Sequence, residues 1–244
     1  MKTDAPILPK LWTLPDSIRN RIGREAGPQR AMLEEGHLLV ILHQVPAPDE
    51  HTRKAALFWR QPTGEWKSNL EGGGIAALGG LLKSYEAKLT NLEDAENAAH
   101  SATEYHRVLE NLAPVLRTSR GLHRTLQQAR EMMKSERDLI NFRDQAAAIE
   151  RNAELLLQDA QFGLNFTVAK QAEVQAINAQ KMAGTAHRLN MLAALFLPLT
   201  TLAGVFGMNV DSGIKNHPAN FFFILALGVL MGGGLSFLIS RARR

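Results

Sequence analysis

The chain has 244 residues, a formal net charge of +4 at pH 7 and no cysteine. The lack of cysteine excludes disulfides, cysteine-based zinc sites and thiol nucleophiles. Lys and Arg are interspersed with Asp and Glu without a long basic run, so nucleic-acid binding is not expected. Residues 1–30 mix charges and prolines without an apolar core, which predicts no secretory signal and a cytoplasmic N-terminal part.

The N-terminal part of the chain carries the strand signals. Two apolar runs, His37–Val45 and Ala55–Gln61, predict strands, and residues 62–64 predict a turn after the second one. We therefore expect a small α/β or β-rich cytoplasmic domain over residues 1–82. The glycine-rich stretch Glu71–Gly80 lacks the Gly-Lys-Ser/Thr ending of a phosphate-binding loop, so a hinge or a tight packing turn is expected there.

Helical spacing follows the glycine-rich stretch. Apolar residues three and four apart predict the packing faces of bundle helices. Pro114 and Gly121 predict a break or bend in this region. The stripes are Leu78, Leu82, Tyr85, Leu89 and Leu92, then Tyr105, Leu109, Leu112 and Leu116, then Leu122, Leu126, Ala129 and Met133.

A long rod follows the bundle stripes. From about Glu136 to Gly207 the first proline is Pro198, and large residues alternate with Ala or Gly at helical spacing. One helix over this span would be about 105 Å long. Its seam, which indicates close packing within or between subunits, is Phe142, Ala146, Ile149, Ala153, Leu156, Ala160 and Gly163. Residues 83–188 are assigned to a cytoplasmic helical bundle and stalk.

Two charge-free runs near the C-terminal end are each long enough to cross a bilayer as a helix. They are Leu189–Val210 and Asn216–Ser240. Residues 189–244 are therefore predicted to form a transmembrane hairpin, with spans at about 189–209 and 220–240. Basic residues flank the pair on its outer ends, which predicts a multi-pass protein of the cell inner (plasma) membrane with both termini cytoplasmic. They are Lys181, His187 and Arg188 before it and Arg241, Arg243 and Arg244 after it.

The first predicted span carries a stripe of small and partly polar residues at helical spacing. Its members are Asn190, Ala193, Leu197, Thr200, Gly204 and Gly207. Polar groups in a membrane must find a partner or line water, so two readings stay open. Either the stripe lines a narrow path, or Asn190 bonds to neighbouring helices and Thr200 to its own helix. Because two spans are too few for a pore, transport would require several copies of the chain.

The stretch LFLPLTTLAGVFGMNV (Leu195–Val210) resembles the end of the first membrane helix in the CorA-type divalent metal ion transporter family. The motif Gly207-Met208-Asn209 carries the resemblance, in the context of a two-span hairpin after a long helix. The resemblance implies a mainly α membrane protein that forms a homopentameric funnel in the lipid bilayer. The first span of each subunit would line the pore, and five Asn209 side chains would ring its outer mouth.

The resemblance also implies roles for individual residues. The Asn209 ring would offer carboxamide oxygens to a hydrated divalent ion, because Mg²⁺ resists dehydration. Thr200 and Gly204 would line the path below, and Leu197 and Leu189 would narrow it. The chain departs from the family pattern in Phe206, where Tyr is common, and in an outer loop with Asp211 beside Lys215 instead of an acidic cluster.

We therefore expect transport of a divalent cation, Mg²⁺ first and Co²⁺, Ni²⁺ or Zn²⁺ behind it. The cation is the substrate and a candidate regulator, and no cofactor is expected. Its regulatory ligands stay unassigned, with Asp138, Asp144 and Glu173 as bare candidates. No hydrolytic triad or cofactor fingerprint occurs in the sequence, so the chain is not expected to be an enzyme. The alternative is a membrane-anchored coiled-coil scaffold without transport activity.

Overall fold

The computed structural model of the chain describes residues 7–47, 53–207 and 218–241. The chain forms two compact units, residues 1–169 and residues 170–244. The expectation of a mainly α protein with a small N-terminal sheet and a very long helix is confirmed; the finer division at residues 82 and 188 stays a prediction. The elements are α1 (Asp16–Arg19), β1 (Arg30–Glu34), β2 (His37–His43), β3 (Ala55–Arg60), β4 (Trp66–Ser68), α2 (Ala76–Asn97), α3 (Ala102–Met132), α4 (Asp138–Gly207) and α5 (Pro218–Arg241).

The sheet of the first unit is an antiparallel meander with the strand order β1-β2-β3-β4. The two strands predicted from apolar runs are β2 and β3, and both predictions are confirmed. The turn before β4 is confirmed too, since the Gly64 N–H donates to the Gln61 carbonyl at 2.9 Å. The strands β1 and β4 were not predicted, because they have only 5 and 3 residues.

The central strand β2 is apolar at successive positions because both faces of the sheet are covered. Leu38, Val40 and Leu42 face the core that the sheet shares with α2, α3 and α4. Leu39 and Ile41 face a second, smaller core on the other side. That core also contains Trp12, Leu14, Ile18, Met32, Leu57 and Trp59. A strand covered on both faces reads as a continuous apolar run instead of an alternating one.

The glycine-rich stretch divides between a turn and a helix. Gly72, Gly73 and Gly74 have φ values of +90°, +59° and +57°, a region that side chains with a Cβ rarely adopt. A Cβ at Gly74 would lie 3.2 Å from the Trp66 carbonyl oxygen, so the backbone also passes close to β4. The expected tight packing turn is confirmed for these residues, and α2 begins directly after it.

A break or a bend was predicted at Pro114 and Gly121; the break is wrong, and the bend stays a prediction. Both residues lie inside α3, a continuous helix of 31 residues that begins with a capping box between Ser101 and Glu104. The Thr118 hydroxyl donates to the Pro114 carbonyl at 2.9 Å. Buried residues on both sides of the proline, including Leu112, hold the helix in the core and offset the cost of the missing N–H.

The predicted rod is confirmed as α4, a single helix of 70 residues. Its seam packs inside the first unit, because Ala146, Ile149, Ala153 and Ala160 are fully buried in this single chain. Close approach explains the small residues of the seam: a Cβ at Gly163 would lie 2.3 Å from the ring of Tyr105 on α3. The seam residues therefore pack against α2 and α3 of the same subunit.

Candidate functional site

The second unit contains the apolar end of α4 packed antiparallel against α5. The contact is close because two glycines of α5 face the α4 backbone. A Cβ at Gly232 would lie 2.6 Å from the Leu195 carbonyl oxygen, and one at Gly228 would lie 2.9 Å from Leu199. The spacing Gly228-x-x-x-Gly232 is the small-residue pattern that lets apolar helices approach each other in membranes. This spacing is a signal in the sequence that indicates the contact side of α5.

The apolar surface of this hairpin is exposed. Among the described residues, α4 is the one helix long and apolar enough, by length and composition, to cross a membrane, and its most apolar 18 residues are only 6 % buried. Phe222–Gly234 of α5 is a shorter apolar segment. The core helix of a water-soluble protein would bury such a stretch. The exposed apolar area therefore requires a cover that the single chain does not supply.

The predicted path residues lie together on one uncovered face of α4. All five described positions, Asn190, Ala193, Leu197, Thr200 and Gly204, are exposed, and Leu197 is 61 % exposed. The side of α4 that faces α5 carries Ala194, which is buried, and Leu199 and Leu202. The stripe and the α5 contact therefore occupy different sides of the helix. The role of the stripe as the lining of a path stays a prediction.

The hydroxyls on this face donate to their own helix. Thr200 Oγ1 donates to the carbonyls of Phe196 and Leu197, both at 3.0 Å, and Thr201 Oγ1 donates to Leu197 at 2.8 Å. These bonds satisfy the donors without a neighbouring helix. A hydroxyl oxygen that donates its proton inward keeps acceptor lone pairs for an outside donor. Because Thr200 lies on the exposed face, its hydroxyl oxygen can accept a hydrogen bond from water, including the water shell of a cation.

The motif itself is only partly described. Gly207 is the last residue of α4, whereas Met208 and Asn209 lie outside the described residues. The connector that contains Asp211 and Lys215 lies outside them as well. The structure therefore gives the helix that leads to the motif, and the asparagine ring stays a prediction.

The regulatory metal ligands stay unassigned. Nowhere in residues 7–47, 53–207 and 218–241 do three or more His, Asp or Glu side chains form a group that could hold a metal ion. Of the bare candidates, Asp138 lies in the first turn of α4, and Asp144 accepts a 2.8 Å hydrogen bond from Arg143. Glu173 is exposed further along the helix.

Two titratable groups with shifted pKa values, Tyr85 and His43, lie where the sheet of the first unit meets α2 and α3. The Tyr85 hydroxyl donates to the His43 carbonyl at 3.0 Å, and burial raises the pKa of Tyr85 to about 12. Burial also lowers the pKa of His43, and the nearby positive charge of Arg53 lowers it further. His43 contacts the Gly27 carbonyl through Nε2 at 2.8 Å. Both side chains are neutral at pH 7. Their hydrogen bonds connect the end of β2 to α2 and to the backbone at Gly27.

The features above define a class: a sheet-and-helix domain followed by a very long helix that ends in an apolar two-helix hairpin. A solved structure of the full-length CmaX protein has the same fold, with a TM-score of 0.57 at 14 % identity over 96 % of this chain and 83 % of that one. The family described as CorA-like Mg2+ transporter protein matches residues 75–241. The chain belongs to this family, so the resemblance inferred from the Gly-Met-Asn motif is confirmed.

Two curated relatives are zinc transport proteins named ZntB, from Pectobacterium carotovorum subsp. carotovorum and Pectobacterium atrosepticum. Each is 29 % identical to this chain over 89 residues. The matched segment is 36 % of this chain and 27 % of either relative. The chain is thus aligned with about a quarter of the length of these relatives.

Proposed function

We propose that the chain transports divalent metal cations across the cell inner membrane through a homopentameric pore. Residues 189–209, which include the end of α4, form the first span, and residues 220–240 form the second. Both termini face the cytoplasm. The first span of each subunit lines the pore with Asn190, Ala193, Leu197, Thr200 and Gly204, and Gly207-Met208-Asn209 forms the selective outer mouth. The observation that carries the proposal is the exposed apolar hairpin of a chain in the CorA-like family.

The different sides of α4 support a pore built from several copies. One side packs on α5 through Ala194 and the glycine contacts, and the face with Thr200 and Gly204 is left uncovered. A cyclic assembly brings the same uncovered face of each copy to a common axis. Small residues there leave room for a water-filled path, and Leu197 supplies an apolar constriction that gates by dewetting.

The chemistry of the lining suits a hydrated ion. Carboxamide and hydroxyl oxygens replace second-shell water without stripping the inner shell, which Mg²⁺ gives up reluctantly. The described part of α4 from Leu189 to Gly207 holds no charged side chain that would trap the ion. A membrane potential supplies about 4.6 kcal/mol per 100 mV for two positive charges, so no coupled energy source is needed.

We place Mg²⁺ first as the ion, with Co²⁺, Ni²⁺ and Zn²⁺ behind it. The family name contains Mg²⁺, whereas the two curated relatives are named for zinc. The outer loop carries Asp211 beside Lys215, so the mouth has little net charge to separate one divalent ion from another. An ion panel in the assay below ranks the four.

The test is flux into liposomes under an imposed voltage, with and without a pH gradient. We expect wild-type protein to carry Mg²⁺, and Asn209→Ala to reduce the flux at least about tenfold while the pentamer stays intact, because the variant removes only the selective oxygens. The matched control is Asn178→Ala, an exposed asparagine of α4 outside the apolar segment. Oligomeric state is measured by size-exclusion chromatography with light scattering.

Two results would contradict the proposal. Wild-type flux in Asn209→Ala would remove the asparagine ring from the mechanism. A folded pentamer that carries none of the four ions under voltage would instead favour the membrane-anchored scaffold.

A further inference from the structure

A basic cavity lies within the first unit. Its volume is about 180 Å³, and it opens between the β2 end of the sheet and α3. Arg53, Arg117 and Arg124 line it together with His43 and Gln29. No Asp or Glu is among its described lining residues. Three guanidinium groups around a small cavity form a positive site of the kind that binds oxyanions.

Among the described residues the three arginines have no carboxylate partner, whereas other arginines of this unit do. Arg120, on the same face of α3, pairs with Glu154 at 2.7 Å, and Arg60 pairs with Glu136 at 2.6 Å. Within the described residues, Arg53, Arg117 and Arg124 form no ion pair. Their charges are therefore left for a ligand from solution.

Besides the positive charges, the cavity has a buried hydrogen-bond acceptor, the His43 side chain. The side chain is only 3 % exposed, and its Nε2 lies 2.8 Å from the Gly27 carbonyl oxygen. Since a carbonyl only accepts, Nε2 carries the proton and Nδ1 is an acceptor. Nδ1 is buried and has no hydrogen-bond partner among the described residues. A buried acceptor without a hydrogen bond destabilises the protein. A ligand with an O–H group would donate the missing hydrogen bond to His43 Nδ1.

The Gln29 side chain, which also lines the cavity, is held in place by two hydrogen bonds. Gln29 Nε2 donates to the Thr118 carbonyl at 2.8 Å, and Gln29 Oε1 accepts from the His43 N–H at 3.3 Å. A Cβ at position 121 would lie 2.4 Å from Gln29 Nε2, so Gly121 leaves the room that the amide occupies. These two hydrogen bonds therefore fix the orientation of the amide on the cavity wall.

We propose that this cavity binds a protonated phosphate-type oxyanion, with Arg53, Arg117 and Arg124 donating to its oxygens and its O–H donating to His43 Nδ1. Guanidinium groups match the geometry of phosphate oxygens and form strong charge-assisted bonds. The cavity is smaller than the ~300–1,000 Å³ of sites for drug-sized ligands, so it takes the phosphate group alone. The site is separate from the ion path and does not depend on transport.

The test uses the full chain in detergent at pH 7, in buffer free of phosphate and divalent cations. Inorganic phosphate is titrated by isothermal calorimetry, and the melting temperature is followed in parallel, since a ligand that binds the folded state raises it. We expect saturable binding of one phosphate per subunit. The double variant Arg117→Gln/Arg124→Gln should weaken binding at least about tenfold. Arg107→Gln, an exposed arginine of α3 outside the cavity, is the matched control and should leave binding unchanged.

Titrations with other ligands test the role of the proton and the source of the phosphate group. Sulfate carries no proton at pH 7, so it should bind about tenfold more weakly than phosphate if His43 accepts an O–H group. ATP and a short-chain phosphatidic acid test whether the phosphate comes from a nucleotide or a lipid headgroup, and competition with inorganic phosphate identifies that source. Absence of phosphate binding to the wild-type chain, or equal binding by the double variant, overturns the site. Equal affinity for sulfate overturns the role of His43.

Discussion

The sheet-and-helix unit buries its large apolar side chains, whereas the apolar hairpin exposes them. In the first unit, Leu38, Val40 and Phe58 are fully buried. In the hairpin, Leu230 is 73 % exposed, and the α5 positions at the helix contact are the glycines Gly228 and Gly232. Burial in the first unit follows the hydrophobic effect in water. The hairpin contact instead depends on close approach through glycine, which is effective where the surroundings are as apolar as the side chains.

The contrast also explains where hydrogen bonds and charges are used. The first unit contains ion pairs between α3 and α4, such as Arg120 with Glu154 at 2.7 Å. The described hairpin contains hydroxyls that donate to their own helix, such as Thr201 to Leu197. A polar group in an apolar medium is best satisfied locally, because no water is available to replace a lost partner. Each unit thus has the interactions suited to its own surroundings.

The largest expected effect is a difference in stability loss between a buried and an exposed leucine when each is replaced by alanine. Leu82→Ala removes a fully buried side chain of the first unit and should lower the free energy of unfolding by about 2–5 kcal/mol. Leu192→Ala, at a position 54 % exposed in the hairpin, should lower it by less than about 1 kcal/mol. Urea unfolding of both variants in detergent, followed by circular dichroism, gives the two values. Equal losses would break the comparison.

The next effect tests the glycine contact of the hairpin. Gly232→Ala places a Cβ against the Leu195 backbone, and overpacking of this kind costs about 1–3 kcal/mol. We expect a lower melting temperature and a reduced amount of assembled protein by light scattering. Gly233→Ala is the control, because a Cβ there meets nothing within 4 Å. If both variants behave alike, the helices do not approach through Gly232.

The smallest effect is a pH dependence confined to the first unit. Hydrogen bonds from the His100 N–H, the Ser101 side chain and the Ser101 N–H lower the pKa of Glu104 from 4.5. Because the folded pKa is lower than the unfolded one, this carboxylate stabilises the fold above about pH 4.5, and the stabilisation is lost as the pH falls through the folded pKa.

The measurement is the melting temperature of wild type and Glu104→Gln from pH 7 to pH 3. We expect the wild type to lose more of its melting temperature over this range, because the Gln side chain does not titrate. Glu93→Gln, an exposed carboxylate of α2, is the control and should follow the wild type. A parallel course of Glu104→Gln and wild type would show that the capping box contributes nothing to acid sensitivity.

The sequence predicted the elements whose signals are long and repeated. The strands β2 and β3 came from apolar runs, and the long helix α4 from its seam of alternating large and small residues. Pro114 does not end α3, because the tertiary packing around Leu112 offsets a local helix breaker. The edge strands β1 and β4 were missed because a few residues carry too little periodicity to separate a strand from a loop.

For the candidate site, helical spacing alone placed Asn190, Thr200 and Gly204 on one face of a helix. Which side α5 covers could not be read from one helix, since it depends on how two helices pack. The Gly228-x-x-x-Gly232 pattern could have indicated the α5 side of that contact. The cavity near His43 had no sequence signal, because Gln29, Arg53 and Arg117 are distant in the chain and meet only through the fold.

The meander order of the sheet has a consequence for synthesis of the chain. Each strand pairs with the strand made just before it, so the sheet and its two covering helices α2 and α3 are complete once Met132 has left the ribosome. About 60 further residues precede the close helix contact at Ala194, which takes about 3–12 s at ~5–20 residues per second. Small domains with neighbouring strand pairs fold within this time. The water-facing scaffold is thus in place before the segment most prone to aggregation emerges.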